Sequence, residues 1–517
     1  MRSNPLRYET FQSLENRMGK LYLPTLTVTI LLTSFTMISY GTIISVAVPS
    51  VMGEFGVGQD KAQLLATGFY VAMTISQLVS SWLISKISHY YTYLLSVILF
   101  SFASILGAIS EDYYLIVISR ITQGISAGIL LNQTYFSIVQ AFPIERRATA
   151  LILFTCSTIS AMGAGPLIGG IAIEYVNWRY IFVAPLPLLL IAMILGNIVM
   201  PKSETSKKLN FDWLGMFLIT SCLSSFLAAV SDGQRQGWTS NYILILFTVS
   251  LLTAVSFIYT QLHRHTRLLD FRLFKNKVYF CGIIVTFCTS MGNFGAIYAV
   301  PIFAQIIQNL SPIDAGFMMF PASVFTLLCL PIISFYSNRI ISRNACIFGL
   351  FLFSLGLYPL VSADINTPYI FMVFFAAISR IGIGINNPFL GKVTISEIPP
   401  EQLQSAISVM NFFRILGTAI GTSIWVVFLE MRASRHSTSL INTQTADNTT
   451  STDTLEKLRF LFEIAGIREL QSLQLSLYFI GELIYKEALT LAYQDGFILL
   501  LGVFIFAIIV SFSFGRR

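Results

Sequence analysis

Apolar residues in this chain come in long, nearly unbroken blocks, not in the alternating or one-sided patterns of a water-soluble fold. A helix needs about 20 apolar residues to cross the hydrocarbon core of a bilayer. Measured against that length, the blocks predict fourteen spanning helices, at 21–47, 62–84, 91–110, 113–139, 148–173, 178–200, 211–231, 241–262, 278–305, 313–333, 345–362, 368–390, 403–429 and 491–514. Short polar stretches join most of them. The long stretch 430–490 is different: it is polar from Thr438 to Thr454 and then mixes apolar residues with charges. Glu463, Arg468, Glu469, Glu482 and Lys486 argue against two further spans, while Leu458, Leu461, Phe462 and Ala465 keep helical spacing. It reads as a re-entrant or surface hairpin, or as a solvated loop.

Charge sets the expected orientation. Of the 32 Lys and Arg, 20 lie at the chain ends and in the alternate loops that share their side. Nine lie on the other side, six of them in 430–490, and long loops cross membranes regardless of charge. The informative ratio is therefore 20 to 3, which predicts a multi-pass protein of a cytoplasmic (inner) membrane with both termini cytoplasmic. Composition agrees with a chain made for the lipid bilayer. It is 55% hydrophobic and 11% charged, against about a quarter charged in soluble domains. The net charge of +7 follows from those loops and gives no reason to expect nucleic acid. The six cysteines lie in or beside apolar runs with no C-x-x-C pair, so neither a metal nor a disulfide is expected. With 4 His, no G-x-x-x-x-G-K-[ST] motif and no polar segment large enough for a domain, the chain reads as neither an enzyme nor an ATP-driven pump, and no cofactor is implied.

An internal repeat organises the spans. Ile118-Ser119-Arg120-Ile121 recurs as Ile378-Ser379-Arg380-Ile381, and Gly124-Ile125 recurs as Gly384-Ile385 at the same offset. The copies fall in span four and span twelve, the fourth of the last six. This predicts an all-α membrane protein of two six-helix bundles, 1–200 and 266–517, with two inserted helices in 201–265. Transporters built from related halves place their substrate site near the membrane midplane between them.

Other residues carry a more specific signal. Span four holds Arg120, Gln123, Gly124 and Gly128, and span five holds Gly163, Gly165, Pro166, Gly169 and Gly170, a cluster suited to close helix packing and a bend. Trp178-Arg179-Tyr180-Ile181-Phe182 opens span six; Asp212, Gly215, Asp232, Gly233 and Trp238 mark the inserted pair; Leu273-Phe274-Lys275 precedes span nine. Ile398-Pro399-Pro400-Glu401 and Asn411-Phe412-Phe413-Arg414 through Gly421-Thr422-Ser423 frame span thirteen. In this order the segments resemble the major facilitator superfamily, and within it the fourteen-span, EmrB-like drug:proton antiporters. The resemblance implies the major facilitator fold, a small-molecule substrate and, by analogy with Gram-negative relatives, a periplasmic adaptor protein docked on the outer face.

The chain departs from that family where coupling is concerned. The family's first span carries an acid where this chain has Tyr40, and Ser45 replaces an Asn. In the loop after span two, Ser85 takes the place of an acid or amide; in its second copy Ser334 and Asn338 depart likewise. No Asp or Glu lies deep in a span, so proton coupling, if used, falls to acids at span ends, with Asp112, Glu174 and Asp314 as candidates. Arg120, Arg380 and Arg414 do lie inside spans. Arginine in a bilayer costs about 2.5–3.5 kcal/mol on insertion scales, so each should face the protein interior or an aqueous cavity. Arg120, Gln123, Tyr40, Asn132, Arg414, Arg380 and Asn386 are the expected cavity residues. Two readings of the arginines stay open: neutral polar groups and water hold them, or they leave the cavity electropositive and suited to an anion.

The function expected is export of small organic compounds by alternating access, as in multidrug efflux. The alternatives are a specific carrier of an anionic metabolite, lipid or siderophore with altered or absent proton coupling, and a transporter-derived sensor.

Overall fold

The computed structural model describes residues 10–202, 211–264, 268–336, 341–399, 402–445 and 447–514. Asn338, Pro400, Glu401, Arg516 and Arg517 lie outside them. Thirteen helices among the described residues are long and apolar enough to cross a membrane. A shorter apolar helix, Pro312–Leu328, stands where the tenth span was expected, so each of the fourteen blocks has its helix. Ordinary capping sets many of their ends. The side chains of Asp112, Ser240, Asn276 and Ser311 accept hydrogen bonds from the first turn of spans four, eight, nine and ten.

Spans one to six pack mainly on one another, as do spans nine to fourteen, and the inserted spans Trp213–Gln236 and Asn241–His263 pair together. The two groups meet along span two against span thirteen and span five against span ten. Span four packs on span two in the leading half, and span twelve packs on span ten in the trailing half, at the positions the sequence repeat marks. A Cβ on Gly124 would overlap the Phe69 carbonyl of span two, and one on Gly384 would overlap Thr326 of span ten.

Two features exceed the expectation. Spans two and three, within Gln59–Ile109, follow each other almost without a loop and are separated by a sharp non-helical turn at Ser88 with φ 82° and ψ 165°. The stretch 430–490 is helical almost throughout. Span thirteen continues to Asn442, a separate helix covers Thr449–Ile464, and the last span begins at Glu469 instead of near residue 491. The helix Thr449–Ile464 lies against the extended start of the last span, and Arg459 ties the pair to Glu463 and Glu469.

Candidate functional site

Between the two halves lies a cavity of about 180 Å³, many times the ~10–15 Å³ that one water needs. Six spans build it. Spans two, four and five contribute Tyr70, Met73 and Gln77, Asn132 and Tyr135, and Phe154, Thr155 and Thr158. Spans nine, twelve and thirteen contribute Thr289, Asn293 and Phe294, Asn387 and Pro388, and Asn411, Arg414 and Thr418. Most of these positions lie in the halves of their spans nearest the Ser88 turn and the C-terminal Phe514, hereafter the near side.

The far side is closed. Val48, Ala299, Ile302, Phe303, Val426 and Leu429 are all essentially inaccessible and belong to one apolar cluster. At its cavity edge the Tyr70 and Phe294 rings meet across the seam at 5.4 Å between centroids. Polar contacts reinforce the seal. Thr67 and Ser423 hydroxyls are 3.1 Å apart, and the Asp60 backbone N–H donates to Glu430 Oε1 at 2.9 Å. Span five meets span ten with almost no room: a Cβ on Gly170 would overlap the Pro312 carbonyl, and one on Gly316 would overlap that of Pro166. Gly163 faces Ser323 of the same span ten, while Gly165 and Gly169 face Thr42 and Ile43 of span one. The glycine cluster of span five thus serves two neighbours at once.

The cavity brings together only part of the set expected from sequence. Asn132 and Arg414 line it. Arg120, Gln123 and Tyr40 do not; they are fully buried beside it in the leading half. The Arg120 guanidinium donates to the Leu65 carbonyl, Gln123 Oε1 and the Tyr40 carbonyl, each at 3.0 Å, and lies over the Phe69 ring. Gln123 in turn donates to Ser104 at 2.8 Å, and the Tyr40 hydroxyl donates to the Phe182 carbonyl at 2.8 Å. Tyr40 therefore reaches Arg120 through its backbone, not its ring. This group clamps spans one, two, three and four and presents nothing to a solute. Arg380 is one residue removed from the cavity: its Nη1 donates at 2.6 Å to Oδ1 of Asn293, which lines it. Asn386 stands one side chain behind the lining, donating to Thr289 and accepting from Cys346, and Asn387 lines the cavity itself.

The acids named for proton coupling are all exposed at the far rim. Asp112 caps span four, accepting from Tyr114 N–H at 2.7 Å. Asp314 accepts from Ser311 at 3.0 Å, and Glu174 from the Ile313 N–H at 3.4 Å. None is among the cavity residues. Asn411 entered the sequence pattern only as part of a motif. Asn293 and Asn387, whose signal was available as amides inside apolar runs, and Glu430, an acid at a span end that reaches across the seam, were missed.

Residues 29–422 match the Major Facilitator Superfamily, about three quarters of the chain. The chain belongs to that superfamily. Among relatives of this major facilitator, the probable multidrug resistance protein EmrY of Escherichia coli is 28% identical over 81% of this chain and 82% of its own length. The multidrug export protein EmrB of the same organism is 26% identical over 80% and 82%. An uncharacterised MFS-type transporter of Bacillus subtilis, YhcA, is 24% identical over 80% and 76%. A bacterial homologue of the human lysosomal transporter Spinster, solved inward-facing and unoccupied, shares the fold with TM-score 0.61 at 15% identity, covering 96% of this chain and 98% of that one. A D-xylose–proton symporter does so with TM-score 0.57 at 14% identity, covering 79% and 90%.

Proposed function

We propose that this chain exports small organic compounds across a cytoplasmic membrane by alternating access, with the cavity as the transport site. The observation that carries the reading is the asymmetry of the cavity: a mixed polar and aromatic chamber between two halves, sealed on one side only. The near side holds the Lys- and Arg-rich loops, so it faces the cytoplasm, and the conformation is inward-facing with both termini inside. Rocking of 1–200 against 266–517 would open the far seam at Asp60–Glu430 and Gly170–Pro312. Coupling through span one has no acid to use, since residues 21–47 hold no Asp or Glu and the Tyr40 hydroxyl is engaged with the Phe182 carbonyl. The helical pair of 430–490, with Phe460, Leu461, Ile464 and Tyr478 exposed, offers an adaptor protein a place to dock on the outer face.

Everted membrane vesicles carrying the full chain, given a panel of labelled compounds in the medium with and without a proton gradient, test this. Accumulation of at least one compound above vesicles lacking the protein is expected. No accumulation of any, in vesicles whose protein is shown to be folded, rejects the reading.

A further inference from the structure

Arg414 differs from the other two intramembrane arginines. It is exposed to the cavity, and its guanidinium makes no hydrogen bond or ion pair with any described residue. No Asp or Glu among the described residues lines the cavity to balance it. Arginine keeps its charge and offers only donors. A chamber of about 180 Å³ has room for water on this charge, beside the lining ring of Tyr135.

A second group adds to the same side of the balance. Arg380 can only donate, so the Asn293 atom facing it at 2.6 Å must be the carbonyl oxygen. The Asn293 amide NH₂ is then left over, and it makes no hydrogen bond among the described residues. Arg380 itself has no carboxylate partner among the described residues and stands one side chain behind the lining. Among the described residues the cavity therefore combines a cation with no acidic partner, a donor held in place by another cation, and no acid. Across from these, Tyr70, Met73, Phe154 and Ile415 supply apolar surface.

We infer that the transported compound is an amphipathic organic anion, its carboxylate, sulfonate or phosphate on Arg414 and the Asn293 amide, its apolar body on those four side chains. The inference rests on the cavity being the transport site, and names the substrate class of that site. A cation there would meet two positive charges that no described acid compensates. An anion would replace water on Arg414 with a charge-assisted contact.

The test is binding to the full chain in lipid nanodiscs, with empty nanodiscs as control. The probes are naphthalene-2-sulfonate and 2-naphthoate, compared with 2-naphthamide and 2-naphthylmethylammonium. The two anions should bind roughly tenfold or more tightly than the neutral amide, and the ammonium most weakly. Arg414→Gln should remove that preference while thermal unfolding stays unchanged, and Arg414→Lys should keep part of it. Asn293→Asp, which places an acid beside Arg380 without touching Arg414, should weaken both anions and leave the amide unaffected. Three results overturn the inference: no anion binds, the anions bind no better than the amide, or Arg414→Gln keeps the preference because Arg414 holds only water. Vesicles that export a compound while the nanodiscs show no anion preference would keep the transport reading and reject this one.

Discussion

The Asp60 backbone N–H and the Glu430 carboxylate meet at 2.9 Å across the seam between the two halves, on the side opposite the cavity opening. Asp60 lies in the first turn of span two, where an N–H has no partner within its own helix. Glu430 satisfies that donor from span thirteen, so the bond exists only while the far side is closed. Glu430→Ala should raise labelling of a Ser423→Cys variant by a membrane-impermeant maleimide added outside. A half-buried bond of this kind is worth about 1 kcal/mol, which is roughly fivefold in the open population. Glu430→Gln keeps the acceptor and should stay near wild type. Equal labelling in all three would mean the apolar seal alone holds the gate.

Arg120 joins spans one, two and four through two backbone carbonyls and Gln123. Arg120→Ala would leave these acceptors unpaired in a buried site and should destabilise the protein by about 2–4 kcal/mol. Arg120→Lys should not rescue it, since one ammonium cannot reproduce a planar fork aimed at three acceptors. Thermal unfolding of purified protein decides the matter. Wild-type stability in Arg120→Ala would refute the clamp.

Ser88 turns the chain between spans two and three at φ 82° and ψ 165°, a backbone region essentially reserved for glycine. Its hydroxyl is buried without a hydrogen-bond partner. Ser88→Gly should therefore stabilise the chain by about 1 kcal/mol, read as a raised melting temperature. A lowered one would show that the serine makes a compensating contact.

Gly170 and Gly316 let spans five and ten touch backbone to backbone on the far side. Gly170→Ala should push these helices apart and increase external labelling at Ser423→Cys, with less effect on thermal stability than Gly165→Ala. Gly165 packs inside the leading half against Thr42, where no alternate conformation relieves the overlap. If both alanines acted alike on labelling, the two faces of the cluster would not be separate.

Both termini should be protected from external protease in intact cells: an even number of spans puts them on one side, and the Lys and Arg asymmetry makes that side the inside. Cleavage at one end only would contradict the pairing of each apolar block with a crossing helix.

The apolar blocks located a helix at each expected crossing, because a bilayer demands a fixed length of apolar residues whatever surrounds it. They did not place the helix Thr449–Ile464 or the early start of the last span at Glu469. The glycines of spans four and five were legible for a similar reason: a missing Cβ signals a close neighbour. Which neighbour was decided by packing, as Gly165 on span one and Gly170 on span ten show. The arginines divide the two levels most clearly. Arg120 and Arg414 look alike in sequence, each a guanidinium in an apolar run. Only the assembled bundle surrounds Arg120 with carbonyls from other spans and leaves Arg414 facing open space. Asn386 and Asn387 differ by one residue, about 100° around a helix, and only the second faces the cavity. The membrane fixes how long each helix must be, but the side of it that meets water is set by the helices packed around it.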